Sequence, residues 1–168
     1  MVAEFRQPFL YWHTLTMAVS FECTTRTSIP QARLFDLARS IDAHRESMAN
    51  SREQAIAGVT SGLISLGEQV TWRAWHFGLP LHMTSRISRM VPPDSFTDEQ
   101  VSGPFKFFRH VHEFSESGGV TTMVDRIDFA APLGPLGMLA EKLLLARYMK
   151  RLIESRNRHL VGAAVEIS

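Results

Sequence analysis

From Gln69 to Phe129 the chain is a succession of strand-length segments cut by turn residues, and after Gly137 its apolar spacing changes from two to three and four. No other feature limits the fold as tightly. Consecutive short strands joined by tight turns pair antiparallel, and one long amphipathic helix must then cover their apolar face. Gln69 to Phe77 and Leu81 to Met90 flank Gly78-Leu79, which reads as a two-residue hairpin loop with glycine first. Pro92-Pro93-Asp94 is a turn, Phe96 to Ser102 a strand, and Gly103-Pro104 a break. Phe105 to Phe114 and Val120 to Phe129 are strands joined through Ser117-Gly118-Gly119. Leu136, Leu139, Leu143, Ala146, Met149 and Ile153 mark one face of a helix running to about His159.

Upstream, Leu15, Met17, Val19, Phe21 and Cys23 alternate with Thr14, Thr16, Ser20 and Glu22, the period of a half-buried strand. Ser28, three residues before Gln31 with Pro30 between, resembles a capped helix start, and Leu34, Phe35, Leu37 and Ala38 form the apolar patch of that short helix. Ile41 to Met48 is a second short helix and Gln54 to Thr60 a second strand, with Gly58, Gly62 and Gly67 in the loops around it. The fold class is therefore α+β, with a curved antiparallel seven-stranded sheet wrapped around a long C-terminal helix and two short helices after strand 1. Residues 14–168 form a single domain. Residues 1–13 are an N-terminal extension whose Phe5, Phe9, Tyr11 and Trp12 need cover from the domain or from a partner.

Composition removes several classes of function. Eighteen Lys and Arg against seventeen Asp and Glu leave a net charge of +1, without the basic excess of a nucleic-acid binder. One cysteine excludes an intramolecular disulfide framework and a cysteine-based zinc site. The longest stretch free of Asp, Glu, Lys and Arg is Gln7 to Phe21, too short to span a bilayer. Glu4 and Arg6 interrupt any secretory signal, so a cytoplasmic location is expected. Homodimerisation is left open.

Strand faces follow from the hairpins, because cross-strand partners share a face. With Gly78-Leu79 as the loop, Trp72 pairs with Ser85 and Ala74 with Met83. Val70, Trp72, Ala74, His76, Met83 and Ile87 look inward, and Trp75 looks outward beside Arg73 or Arg86. In the last hairpin His110 falls opposite Asp125 and His112 opposite Met123. Phe108, His110, His112 and Phe114 then share the inner face with Met123, Asp125, Ile127 and Phe129. The simplest register at Pro92-Pro93 adds Asp98 and Gln100 to that face, and a bulge at Gly103 would remove them. The result is an aromatic cavity with a small polar floor, the kind of space in which small molecules bind.

The residues Phe96-x-Asp98-x-Gln100-x-x-Gly103-Pro104-Phe105, His110-x-His112-x-Phe114, Gly118-Gly119, Asp125-Arg126 and Ala131-Pro132-Leu133-Gly134-Pro135-Leu136-Gly137 resemble the START/SRPBCC superfamily. Within it, the chain is similar to the bacterial polyketide cyclase/dehydrase-like SRPBCC proteins, over residues 14 to 158. The resemblance implies a helix-grip fold and a cavity, not a reaction, since the superfamily holds lipid carriers, hormone receptors and aromatase/cyclases alike.

The expected function is binding of a small hydrophobic or aromatic molecule, lipid-like or polyketide-like, between sheet and C-terminal helix. Trp72, His76, Met83, Phe108, Met123, Leu139 and Leu143 would contact its apolar body. Asp98, Gln100, His110, His112 and Asp125 would orient its oxygen atoms. One alternative is an aromatase/cyclase-type enzyme using His110 and Asp125 for proton transfer. Another is an interaction module whose cavity is filled by side chains. His110-x-His112 with Asp125 could also hold a divalent metal, but a buried charge-assisted His–carboxylate pair is the simpler reading, so no metal and no cofactor is expected. Arg147, Arg151 and Arg156 are placed on the solvated face of the last helix. Cys23, on the apolar face of its strand, is expected to be inert.

Overall fold

Alternating burial runs the length of two strands, Phe107–Ser117 and Val120–Ala130, and this pattern anchors the whole sheet. The computed structural model describes residues 18–76, 78–130 and 144–166. Among the described residues there are seven strands: β1 (Val19–Thr27), β2 (Gln54–Gly58), β3 (Gln69–His76), β4 (Leu79–Val91), β5 (Ser95–Ser102), β6 (Phe107–Ser117) and β7 (Val120–Ala130). They form one antiparallel sheet in the order β1-β7-β6-β5-β4-β3-β2. Strands β2 to β7 make the expected meander, and β1 closes on the last of them. Helices α1 (Gln31–Ala38) and α2 (Ile41–Ser47) follow β1, then one 3-10 turn at Ala49–Ser51, and the long helix α3 (Ala146–Glu166) ends the chain. The N-terminal extension, the first half of the predicted first strand, Leu139 and Leu143 lie outside the described residues.

Both hairpins are two residues out of the predicted register. Trp72 pairs with Met83, Ala74 with Leu81 and His76 with Leu79, so Leu79 belongs to β4 rather than to the loop. In the β6–β7 hairpin Ser117 pairs with Val120, leaving Gly118-Gly119 as the loop. Both glycines have positive φ, 58° and 74°, the left-handed backbone that a type I′ turn needs at both central positions. His110 is therefore opposite Ile127, and His112 opposite Asp125. A slip of two residues leaves every side chain on its predicted face, because the strand period is two.

Two irregularities bend the middle of the sheet. Ser88 is an extra residue in β4, between the pairs Ile87–Asp98 and Arg89–Thr97, and Val101 is an extra residue in β5. Asp98 stays inward. The short helices are held differently from the sequence expectation. The residue capping α1 is Pro30, with no side-chain cap, and the Gln31 backbone N–H instead donates to the Glu116 carboxylate at the end of β6 (2.9 Å). Ser40 caps α2, its hydroxyl accepting from the Ala43 N–H at 3.2 Å.

Two apolar clusters fill the interior. Under α1, Phe35 meets Phe96 and Phe114 edge-on, both with ring centroids 5.5 Å apart. Against α3, Ile153 packs over Phe108, Ile127 and Phe129. Along β6 the order Phe108, His110, His112, Phe114 runs from one cluster to the other, and along β7 Asp125 lies between Ile127 and Met123. A polar layer thus separates two apolar ones.

Candidate functional site

The polar layer is assembled from four elements. β5 contributes Asp98, β6 His110 and His112, β7 Asp125, and α3 Arg156 and Asn157. Asp125 is fully buried and lies at the centre. Its Oδ1 contacts His110 Nε2 at 2.8 Å and lies 2.8 Å from His112 Nδ1, the latter not aligned as a hydrogen bond. Its Oδ2 accepts from Asn157 Nδ2 at 2.7 Å. The opposite ring atoms of both histidines face Asp98, whose Oδ2 is 3.3 Å from His112 Nε2 and 3.9 Å from His110 Nδ1. Phe96 stacks on the His112 ring at 4.1 Å and fixes its plane.

These contacts set the charges. Burial by itself raises the Asp125 carboxyl, but its contacts with His110 and His112 outweigh that and hold it well below the usual carboxylate range. Asp98 is lowered in the same way, burial being overcome chiefly by the bond to His112. Burial opposes charge on His112, yet its contacts with Asp125 and Asp98 push the imidazole up. His110 goes down, through burial and the charge on His112. Arg156, 3% exposed, lies with Nη1 3.9 Å from Asp125 Oδ1 and donates through Nη2 to the Ala38 carbonyl at 2.7 Å. That carbonyl belongs to the last turn of α1 and has no partner within its own helix. Placing Arg156 on the solvated face of α3 is therefore corrected. Met149, Ile153, Arg156 and Leu160 recur at spacings of three and four, so the arginine sits on the stripe that faces the sheet.

A cavity of about 190 Å³ opens beside this layer, between the sheet and α3. Of the residues expected from sequence, Trp72, His76, Met83 and Phe108 line it, together with Asp98, His110 and His112. Asp125 stands behind the two histidines, outside the cavity wall. Met123 is fully buried in the apolar cluster under α1. Gln100 turns to the β5–β6 connection, donating from Nε2 to the Phe105 carbonyl (2.7 Å) and accepting from the Phe105 N–H (3.3 Å).

Sequence reasoning missed a second polar group on the wall. His44 stacks on Trp72 with ring centroids 4.4 Å apart and contacts Glu53 Oε1 through Nε2 at 3.2 Å. Burial raises Glu53, but the charge of His44 and the bond to it leave the carboxyl below its ordinary value. The Tyr148 hydroxyl lies 2.7 Å from His76 Nδ1. Neither His44 nor Glu53 carries a spacing signal linking it to the cavity; Tyr148, adjacent to the apolar stripe of α3 at Met149, offers a hint. Cys23 is buried and its thiol is pushed up to about 11, chiefly by burial, as its place on the apolar face implied.

Among the described residues, Asp98, His110 and His112 also bring three metal-capable donor atoms within 4.8 Å of one another. No described helix is long and apolar enough to cross a membrane.

No protein-family model matches the chain, and no curated protein does. Solved structures do. TTHA0849 from Thermus thermophilus superposes with a TM-score of 0.74 at 15% identity, covering 89% of this chain and 99% of that one. The Zhui aromatase/cyclase from Streptomyces sp. R1128 gives 0.70 at 14%, covering 88% and 93%. The di-domain aromatase/cyclase StfQ from the steffimycin biosynthetic pathway gives 0.73 at 12%, covering 92% of this chain, which spans 53% of StfQ. With its seven-stranded sheet and C-terminal helix, the chain shares the helix-grip fold of these structures.

Proposed function

We propose that this START/SRPBCC-type helix-grip domain binds a small hydrophobic molecule in the space between its sheet and α3, with Trp72, His76, Met83 and Phe108 around the apolar body of the ligand. The observation that carries this reading is the cavity itself, of about 190 Å³, walled largely by apolar and aromatic side chains with polar groups at two places. An apolar cavity of about 150 Å³ holds a benzene ring. The space bounded by the described residues therefore favours a molecule of one or two rings over a long lipid chain. It also speaks against the alternative of an interior filled by side chains. Asp98, His110 and His112 on the wall would orient the ligand's oxygen atoms. Asp125 would act on it only through the two histidines. The same reading places the protein in the cytoplasm, acting on a small molecule rather than on nucleic acid, alone or as a homodimer.

Native mass spectrometry of the full chain purified from cells tests this. A retained organic molecule, released on denaturation, is the expected result. A bare mass that persists after screening with aromatic and lipid-like compounds sinks the reading.

A second reading, an aromatase/cyclase-type enzyme, draws on the 2.8 Å contact between His110 and Asp125 and on the fold likeness to Zhui. His110 reaches the cavity wall and Asp125 holds its far nitrogen, the arrangement of a positioned proton-transfer group. It requires His110→Ala to lose turnover while keeping ligand affinity; equal loss of both counts against it.

A further inference from the structure

The two carboxylates of the polar layer stand on opposite sides of the histidine pair. Asp125 contacts His110 Nε2 and His112 Nδ1 with a single oxygen, at 2.8 Å in both cases, and lies behind the cavity wall. Asp98 lies on the wall, opposite the other nitrogen of each ring. An imidazole held by a carboxylate at one nitrogen presents the other as a metal ligand with its tautomer and ring orientation set. Here one carboxylate oxygen is hydrogen-bonded to the His110 ring and lies against the His112 ring, whose plane Phe96 fixes. We propose that Asp98 Oδ2, His110 Nδ1 and His112 Nε2 form a binding site for a divalent first-row transition metal, with its remaining coordination positions open to the cavity.

Spacing supports this. Metal–donor bonds of about 2.1 Å put neighbouring ligand atoms roughly 3.0–3.5 Å apart. Asp98 Oδ2 is 3.3 Å from His112 Nε2 and 3.9 Å from His110 Nδ1, so small side-chain rotations close the set. The i, i+2 step along β6 puts both rings on one face, centroids 3.8 Å apart, and Phe96 stacked on His112 limits its rotation. Two nitrogens and one carboxylate oxygen select zinc, iron, cobalt or nickel over calcium and magnesium, which favour all-oxygen surroundings. Charge agrees as well: the layer holds two carboxylates, Asp125 fully buried and Asp98 partly so, against one buried guanidinium, Arg156, 3.9 Å from Asp125. The cation takes the place of the hydrogen now shared between His112 and Asp98. Three protein ligands with open positions are the pattern of a site that engages a bound molecule rather than one that staples a fold. Sequence spacing alone suggests Asp125 as third ligand, but Asp125 lies behind the wall and Asp98 on it.

The site stands independently of any organic ligand, so its failure would leave the proposed cavity function untouched. The test titrates chelator-treated full-length wild type with Zn²⁺ by calorimetry and follows histidine ring resonances by NMR. One equivalent is expected to bind and to shift the rings of His110 and His112. His110→Ala, His112→Ala and Asp98→Asn should each weaken binding tenfold or more. Asp125→Asn, which loosens the rings without removing a ligand, should weaken it about 10–100-fold. His159→Ala, on an exposed position, should change nothing. Responses confined to the exposed His82 and His159, or no binding at millimolar Zn²⁺, would overturn the proposal. The wild-type spectra decide the matter even where a buried variant fails to fold.

Discussion

Replacing Arg156 by methionine removes a cation while keeping an unbranched apolar stem, and three observations set the size of the loss. The guanidinium is 3% exposed, donates to Ala38 O at 2.7 Å, and lies 3.9 Å from Asp125 Oδ1. A buried hydrogen bond from a charged group contributes about 1.5–3 kcal/mol. Taking away one of the cations that face the buried Asp125 carboxylate brings the total to at most about 3–5 kcal/mol, the cost of breaking a buried pair. Its second amino group adds little, since the contact to Asn157 Oδ1 is long at 3.4 Å. Urea unfolding in chelator-containing buffer is the assay. With a slope of about 2 kcal/mol per molar, the midpoint should fall by about 1.5–2.5 M. Arg156→Lys keeps the charge but not the forked donor geometry and should lose roughly half as much. Arg151→Met, five residues earlier and exposed, should stay within about 0.5 kcal/mol of wild type. Equal midpoints for Arg156→Met and Arg151→Met would refute the assignment of Arg156 to the buried polar layer.

Other consequences can be measured separately. Cys23, buried with its thiol near 11, should react with iodoacetamide at pH 8 far more slowly than the unfolded chain, as mass spectrometry of quenched samples would show. Glu53 is held below its ordinary value, so its contribution is present above the unfolded carboxylate pKa and is lost as pH falls through the lower folded one. The stability gap between wild type and Glu53→Gln should accordingly be open at pH 7 and close below about pH 4, followed by thermal melts across that range. Gly58 has φ +74° and a Cβ there would meet the Gln69 carbonyl oxygen at 2.2 Å. Gly58→Ala should therefore cost about 2 kcal/mol or more and raise amide exchange in β2 first.

The strand faces were legible in the sequence because burial alternates with a period of two, and that signal survived both hairpin errors. The register was not. Pairing Trp72 with Met83 or with Ser85 gives the same inward set, so apolar patterning alone does not distinguish them. What does distinguish them in the last hairpin is chemical. His112 sits opposite Asp125, where the predicted alignment would put Met123, and this pairing brings one Asp125 oxygen to 2.8 Å from both rings. The polar layer therefore specifies a register that the apolar pattern leaves open. Arg156 was misplaced for a different reason. It was grouped with Arg147 and Arg151 by charge, although its angular position on α3 matches Ile153 and Leu160. The capping of α1 by Glu116 was beyond reach, since it joins residues 85 positions apart.

The order of strands in space also bears on how the chain is made. Among the described strands β1 leaves the ribosome first, yet the strand it pairs with there is β7, the last, with Val19 paired to Phe129 and Thr27 to Thr121. At synthesis rates of about 5–20 residues per second, β1 waits roughly 5–20 s before its partner emerges. During that interval its inward face, Val19, Phe21 and Cys23, has no sheet to cover it. Every other strand meets a neighbour made next to it in sequence. A nascent-chain aggregate or a chaperone should therefore engage this protein at β1 before anywhere else in the sheet.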